Sequence, residues 1–286
     1  MVTAFVLGGG GVLGAVEVGM LRALLERDIR PDLVLGTSVG ALNGAMVASD
    51  PHLGVVERLV GLWQAAAETG DVYGDRPLRT MRRAVSTRTH IYSAEPLKQR
   101  LRDEIGDLTF EELPVRFQVC AASIERAAEH WFSNGSVVDA VIASAAVPGL
   151  LPPAEVGGEH YLDGGIVNSI PVGRAVQLGA DRIFVLQVGR IDRPLKPPTR
   201  PWEVARVSFE IARRHRFARE MAEIPADVEA HVLPTAGTSA KDDSVFAYRD
   251  FSTVQRRMDA TYDAVVAYLD DWVDGIDRPA VDREES

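Results

Sequence analysis

The stretch "LGGGGVLGAVEVGML" at residues 7–21 sets the tightest limit on what this chain can fold into. Four consecutive glycines follow the apolar run "TAFVL" and precede Leu13, Val16, Met20, Leu21, Leu24 and Leu25, which recur at helical spacing. Glycine loses more backbone entropy on folding than any other residue, so a run of it marks a place that needs bare backbone. A buried strand that turns through glycines into a helix is a junction of an α/β sheet, and ligands gather at such junctions. Three ligands suit bare amides there: a phosphate, a dinucleotide, or the negative oxygen formed in acyl transfer.

The same alternation continues along the chain. "LVLGTS" reads as a short buried strand, with the small-residue helix "VGALNGAMVA" behind it. "VRFQVCAASI" and "RIFVLQVG" are further continuous apolar strands, and "EVGGEHYLDGG" reads as a hairpin turning at residues 157–158. Helices are predicted over 54–67, 76–85, 95–105, 202–222 and about 250–274, and "SVVDAVIASAAVPG" is a helix halted by Pro148. Thr109 and Glu112 stand at capping-box spacing. Continuous apolar strands between helices predict a three-layer α/β fold, with a mostly parallel central sheet and helices on both faces. The expected organisation is one domain over residues 1–275. Its motif-bearing core spans about 4–190, a helical segment follows over 201–275, and 276–286 form a frayed tail.

Charge and cysteine usage narrow the function. The 286 residues carry 31 Lys and Arg against 41 Asp and Glu, a net charge of −10, which argues against a nucleic acid partner. The one cysteine, Cys120, excludes a disulfide within the chain and a cysteine-based zinc site. It reads as a small buried hydrophobe and suits a reducing, cytoplasmic compartment. The first residues lack a basic leader region, and no stretch approaches the roughly 18 apolar residues of a membrane span, so membrane contact is expected to be peripheral.

Each ligand class asks for different residues beside the glycines. A Walker-type phosphate loop ends in Gly-Lys-Ser/Thr, whereas this run ends Gly11-Val12-Leu13-Gly14. A dinucleotide site matches Gly9-x-Gly11-x-x-Gly14 but needs an acid at the end of the second strand. Asp32 has the right separation, yet it stands before that strand. The third reading joins two junctions. Gly36-Thr37-Ser38-Val39-Gly40 is G-x-S-x-G, which presents a serine hydroxyl at a sharp strand-to-helix turn. Acyl transfer at Ser38 would create an oxyanion, and successive glycine amides at the head of a helix can hold one.

Ser38 then needs a base. The histidines His52, His90, His130, His160, His215 and His231 all fall outside the glycine-rich junctions. A triad using His215 or His231 is compatible with the chain order Ser–Asp–His. The alternative is Asp163 in "YLDGG", an acid followed by two glycines at a strand end. An ordinary Asp has a pKa near 4, about three units below neutrality, which handicaps proton transfer by about 4 kcal/mol. Partial burial would raise that pKa.

Taken together, these segments resemble the patatin-like phospholipases over roughly residues 4–190. "GGGVLGA" at 9–15 is similar to the family's glycine-rich oxyanion element, "GTSVGALNG" at 36–44 to its nucleophile elbow, and "YLDGGIVNSIP" at 161–171 to its aspartate segment. "ASAAVPGLLPP" at 143–153 resembles the stretch that precedes that aspartate. The resemblance implies a Ser–Asp dyad of Ser38 and Asp163, with Gly10 and Gly11, together with Gly9, as oxyanion donors. It implies hydrolysis of lipid acyl esters, of phospholipase or lysophospholipase type, without metal or cofactor. Leu13 stands where many members carry Arg or Lys, and Gly8 where they carry Ser or Asp, so the resemblance gives no cationic anchor for a head group. Leu150, Leu151 and the apolar face after Leu13 are the expected lining for an acyl chain.

Overall fold

The computed structural model describes residues 1–68, 90, 92–188, 191, 194–236 and 251–277. The apolar runs of the sequence become the strands of one sheet. They are β1 (Thr3–Leu7), β2 (Leu33–Thr37), β3 (Arg116–Ser123), β4 (Ala128–Phe132), β5 (Ala154–Val156), β6 (Glu159–Asp163), β7 (Arg182–Leu186) and β8 (Glu229–Val232). Five of them run parallel in the order β3–β2–β1–β7–β8, while β4, β5 and β6 pair antiparallel.

Around the sheet lie α1 (Ala15–Glu26), α2 (Val39–Ser49), α3 (Gly54–Glu68), α4 (Glu95–Ile105), α5 (Val137–Ser144), α6 (Val172–Gln177), α7 (Pro201–Ala222) and α8 (Phe251–Asp277). The strand period of two sorts the apolar side chains into two layers. Ala4, Val6, Leu33, Leu35, Ile183 and Val185 face α6 and α7, where Phe217 closes that layer. Phe5, Leu7, Val34, Phe184 and Leu186 face α1, α2, α3 and α8. Each large apolar side chain buried this way contributes about 1.5–3 kcal/mol. This is the expected three-layer, mostly parallel architecture.

One feature of the pairing positions the site. Residues 121–123 of β3 pair with β4 and β6 at once, and 119–120 pair with β2 and β4. So β4 holds one edge of β3, while β2 and β6 follow one another along the other edge. β2 is parallel to β3 and ends at Thr37 opposite Cys120; β6 is antiparallel and ends at Asp163 opposite Ala121. Their carboxyl ends therefore meet head to head.

Three boundaries differ from the sequence reading. Helix α5 stops at Ser144, short of Pro148, because Ala146 O is drawn into the sheet by Asp163 N–H at 3.0 Å. The capping box at Thr109 and Glu112 forms, but it caps a single 3-10 turn at Phe110–Glu112. The last helix runs on to Asp277. The helix expected over 76–85 and nearly all of the expected tail over 276–286 lie outside the described residues.

Candidate active site

Ser38 occupies the bend between β2 and α2 with φ 55° and ψ −123°, a left-handed backbone that costs a non-glycine residue of order 1–3 kcal/mol. The surroundings hold it there. Ser38 N–H donates to Ser144 Oγ at 2.8 Å, and Ser144 Oγ donates to Cys120 O at 2.5 Å. Ser38 O accepts from Ala41 N–H at 2.9 Å, which starts α2. Glycine is needed at position 40 because α2 crosses the end of β1 closely: a Cβ there would stand 2.3 Å from Leu7 O.

Asp163 reaches the same point from β6. Ser38 Oγ donates to Asp163 Oδ2 at 2.6 Å, and Gly165 N–H donates to Asp163 Oδ1 at 2.7 Å. Both residues are buried. Burial raises the Asp163 pKa to about 6 from the ordinary value of 3.8, against the opposing pull of the bonds from Ser38 and Gly165. Thr37 Oγ1 donates to Asn168 O at 2.9 Å and ties the serine bend to the segment beyond the aspartate. That segment is clamped from outside by Arg216 of α7, which donates to Val167 O at 2.6 Å and pairs with Glu129 and Glu220.

The glycine run turns over the end of β1. Gly8 N–H is bonded to Leu186 O at 2.9 Å and Gly9 N–H to Ser169 O at 2.8 Å. The expectation that Gly9 is an oxyanion donor is corrected by this bond, since its amide is already taken by the loop that leads from Asp163 to α6. Gly10 and Gly11 N–H donate to no acceptor among the described residues. Gly11 has φ 58°, which only glycine adopts without strain, and opens the 3-10 turn Gly11–Gly14 that leads into α1.

The rival readings find no support in the geometry. Among the described residues, the hydrogen bonds of the Ser38 hydroxyl and the Asp163 carboxylate involve no histidine. His215 is exposed on α7. His231 is buried in β8, stacked on Phe184 and bonded to Tyr268, with β7 and β1 between its strand and β2. Asp32 stands before β2 and accepts from Thr3 N–H at 2.8 Å, which is a sheet contact. Cys120 is a buried thiol whose pKa burial pushes well up. Leu151 is fully buried and Leu150 and Leu13 are half-buried.

Sequence reasoning missed one group beneath the site. Glu17 of α1 is fully buried, accepts from Asn43 of α2 at 2.7 Å, and has its pKa raised well above the carboxylate range by burial. Asn43 also donates to Gly14 O at 3.0 Å. The signal was present: Glu17 sits within the apolar helical stripe that runs from Leu13 to Leu24.

A three-layer α/β fold with a strained serine bend against a lone carboxylate is the class of protein that these observations define. The chain belongs to the patatin-like phospholipase family, whose model matches residues 5–176. It is 33% identical over 195 residues to lysophospholipase nte1 of Aspergillus terreus, covering 65% of this chain and 12% of that protein. It is 31% identical over 189 residues to neuropathy target esterase sws of Drosophila melanogaster, covering 65% of this chain and 13% of that protein. The chain therefore spans a small part of the length of these relatives. Among solved structures, VipD from Legionella pneumophila superposes with a TM-score of 0.46 at 14% identity, covering 94% of this chain and 66% of that one. Among the described residues, no helix is long and apolar enough to cross a membrane.

Proposed function

We propose that this chain hydrolyses acyl esters of lipids through a dyad of Ser38 and Asp163. The observation that carries the reading is the 2.6 Å hydrogen bond from Ser38 Oγ to a buried carboxylate whose pKa is raised to about 6. At neutral pH that carboxylate is largely ionised, yet it is a far better base than an ordinary Asp. The handicap of about 4 kcal/mol falls to about 1 kcal/mol.

In the first half-reaction Ser38 Oγ attacks the ester carbonyl carbon while its proton passes to Asp163 Oδ2. The carbonyl oxygen becomes an oxyanion, for which Gly10 and Gly11 N–H and the amino end of the helix α1 are the donors. Collapse of the tetrahedral species breaks the bond to the leaving alcohol, which takes the proton from Asp163. Water then attacks the acyl-serine as Asp163 takes its proton, and release of the fatty acid returns that proton to Ser38 Oγ.

Exposed Ile166 and Phe209 favour an apolar substrate. Ile166 follows the aspartate by three residues, and Phe209 packs against Gly165. The names of the relatives point to lysophospholipids as the first substrates to try. Phospholipids, neutral lipids and thioesters remain within the same chemistry. Turnover of lysophosphatidylcholine and of p-nitrophenyl esters of graded chain length should vanish in Ser38→Ala and fall by roughly 10³-fold or more in Asp163→Asn. Undiminished turnover in Ser38→Ala would overturn the proposal.

A further inference from the structure

Ser169 has no role in the steps above, yet its backbone and side chain stand in very different situations. Its carbonyl accepts Gly9 N–H at 2.8 Å. Its Oγ is buried and has no hydrogen-bond partner among the described residues. A buried hydroxyl left without a partner lowers stability, so its retention calls for another reason.

Its position supplies one. A Cβ built on Gly9 would stand 3.1 Å from Ser169 Oγ, 3.4 Å from Ser38 Cβ and 3.5 Å from Thr37 O. The side-chain-free flank of Gly9 thus has the Ser169 hydroxyl on one wall and the Cβ of Ser38 on another. The neighbouring Asn168 also carries an unpartnered oxygen, but its Nδ2 is held by Glu220 and Glu129 on the α7 side. Among these groups the Ser169 hydroxyl alone borders the flank of Gly9 that Ser38 shares.

We propose that Ser169 Oγ–H donates a hydrogen bond to the ester oxyanion, beside Gly10 and Gly11 N–H. It completes the donor set from which Gly9 N–H is removed by its bond to Ser169 O. One residue thereby fixes the glycine loop through its carbonyl and stabilises the developing charge through its hydroxyl. The inference rests on the Ser38–Asp163 reading. It adds a donor whose loss should act on the transition state and leave substrate binding alone.

The test compares wild type, Ser169→Ala, Ser169→Cys and Ser169→Thr in the full chain, with a p-nitrophenyl ester as substrate. Thermal unfolding and inhibition by an alkyl trifluoromethyl ketone, which forms a serine-bound oxyanion, are measured beside it. Because the hydroxyl has no partner among the described residues, Ser169→Ala should melt no lower than wild type. Its kcat should fall by about 10²-fold with KM changed less than about 2-fold, as for loss of one oxyanion donor. Affinity for the trifluoromethyl ketone should fall in step with kcat. Ser169→Thr, which keeps the hydroxyl, should recover most of the rate, and Ser169→Cys, a weak donor, should resemble Ala. Wild-type kcat in Ser169→Ala, or in Ser169→Cys should the Ala variant misfold, would overturn the proposal. Failure of the underlying dyad shows itself separately, as full turnover in Ser38→Ala.

Discussion

Ser38 and Asp163 lie 125 positions apart in the chain, and they meet at 2.6 Å because β2 and β6 end against each other along one edge of β3. The meeting is set by register. Thr37 pairs with Cys120 and Asp163 with Ala121, so neighbouring residues of one strand place the hydroxyl and the carboxylate side by side.

Placing a carboxylate there has a stability consequence. The folded protein holds the Asp163 proton more tightly than the unfolded chain, since burial raises the pKa from 3.8 to about 6. The contribution of this group therefore favours folding below about pH 4 and is lost as the pH rises to about 6. A gap of about two units corresponds to about 3 kcal/mol. Asp163→Asn keeps the shape and the bond from Gly165 N–H to the remaining oxygen, turns the Ser38 contact into one that the amide Nδ2 donates to Ser38 Oγ, and removes the buried charge. At pH 8 it should be more stable than wild type by about 1–3 kcal/mol in urea unfolding, with the gain disappearing near pH 4.

In the proposed mechanism the same pKa governs turnover. As the proposed base, Asp163 works only when ionised, so kcat/KM should rise tenfold per pH unit below about 6 and level off above it. An ordinary exposed Asp would place that bend near pH 4. A pH–rate profile from pH 4.5 to 8 with an uncharged ester distinguishes the two.

The serine bend depends on Ser144 as well as on its own backbone. Ser144→Ala removes the acceptor for Ser38 N–H and the donor to Cys120 O, both buried. It should cost about 1–3 kcal/mol of stability and lower kcat/KM, because the strained backbone of Ser38 loses its tether. Chemical unfolding and ester kinetics on the same preparation measure both effects.

The close approach at Gly40 leaves no room for even a methyl group. Gly40→Ala would place Cβ 2.3 Å from Leu7 O and 2.8 Å from Gly8 O, so α2 must shift away from the end of β1. A loss of about 1–3 kcal/mol or more is expected, with near-complete loss of activity, since the same shift moves Ser38. Gly54, where a Cβ would meet nothing within 4 Å, is the control: Gly54→Ala should be close to neutral.

Much of this was legible in the sequence because the strong signals are local. Continuous apolar runs marked the central strands, and G-x-S-x-G and "YLDGG" marked Ser38 and Asp163, which the fold brings to 2.6 Å. What the sequence could not supply was pairing across distance. Nothing local says that β2 and β6 share an edge of β3, or that Gly9 N–H is claimed by Ser169 O. Ser144 lay within a recognised stretch, but its contact with Ser38 arises only when α5 folds back over the bend. The acyl lining expected at Leu150, Leu151 and the apolar face after Leu13 had no local signal either. A leucine near the motifs is equally suited to the core, and Leu151 is fully buried, while exposed Ile166 and Phe209 border the aspartate.

Labelling with a fluorophosphonate probe, read by intact mass and peptide mapping at pH 7.5, tests the joint action of Ser38 and Asp163 most directly. One adduct on Ser38 in wild type, none in Ser38→Ala, and labelling of Asp163→Asn slowed by about 10²-fold or more are the expected results. An adduct on another residue, or wild-type labelling in Asp163→Asn, would contradict it.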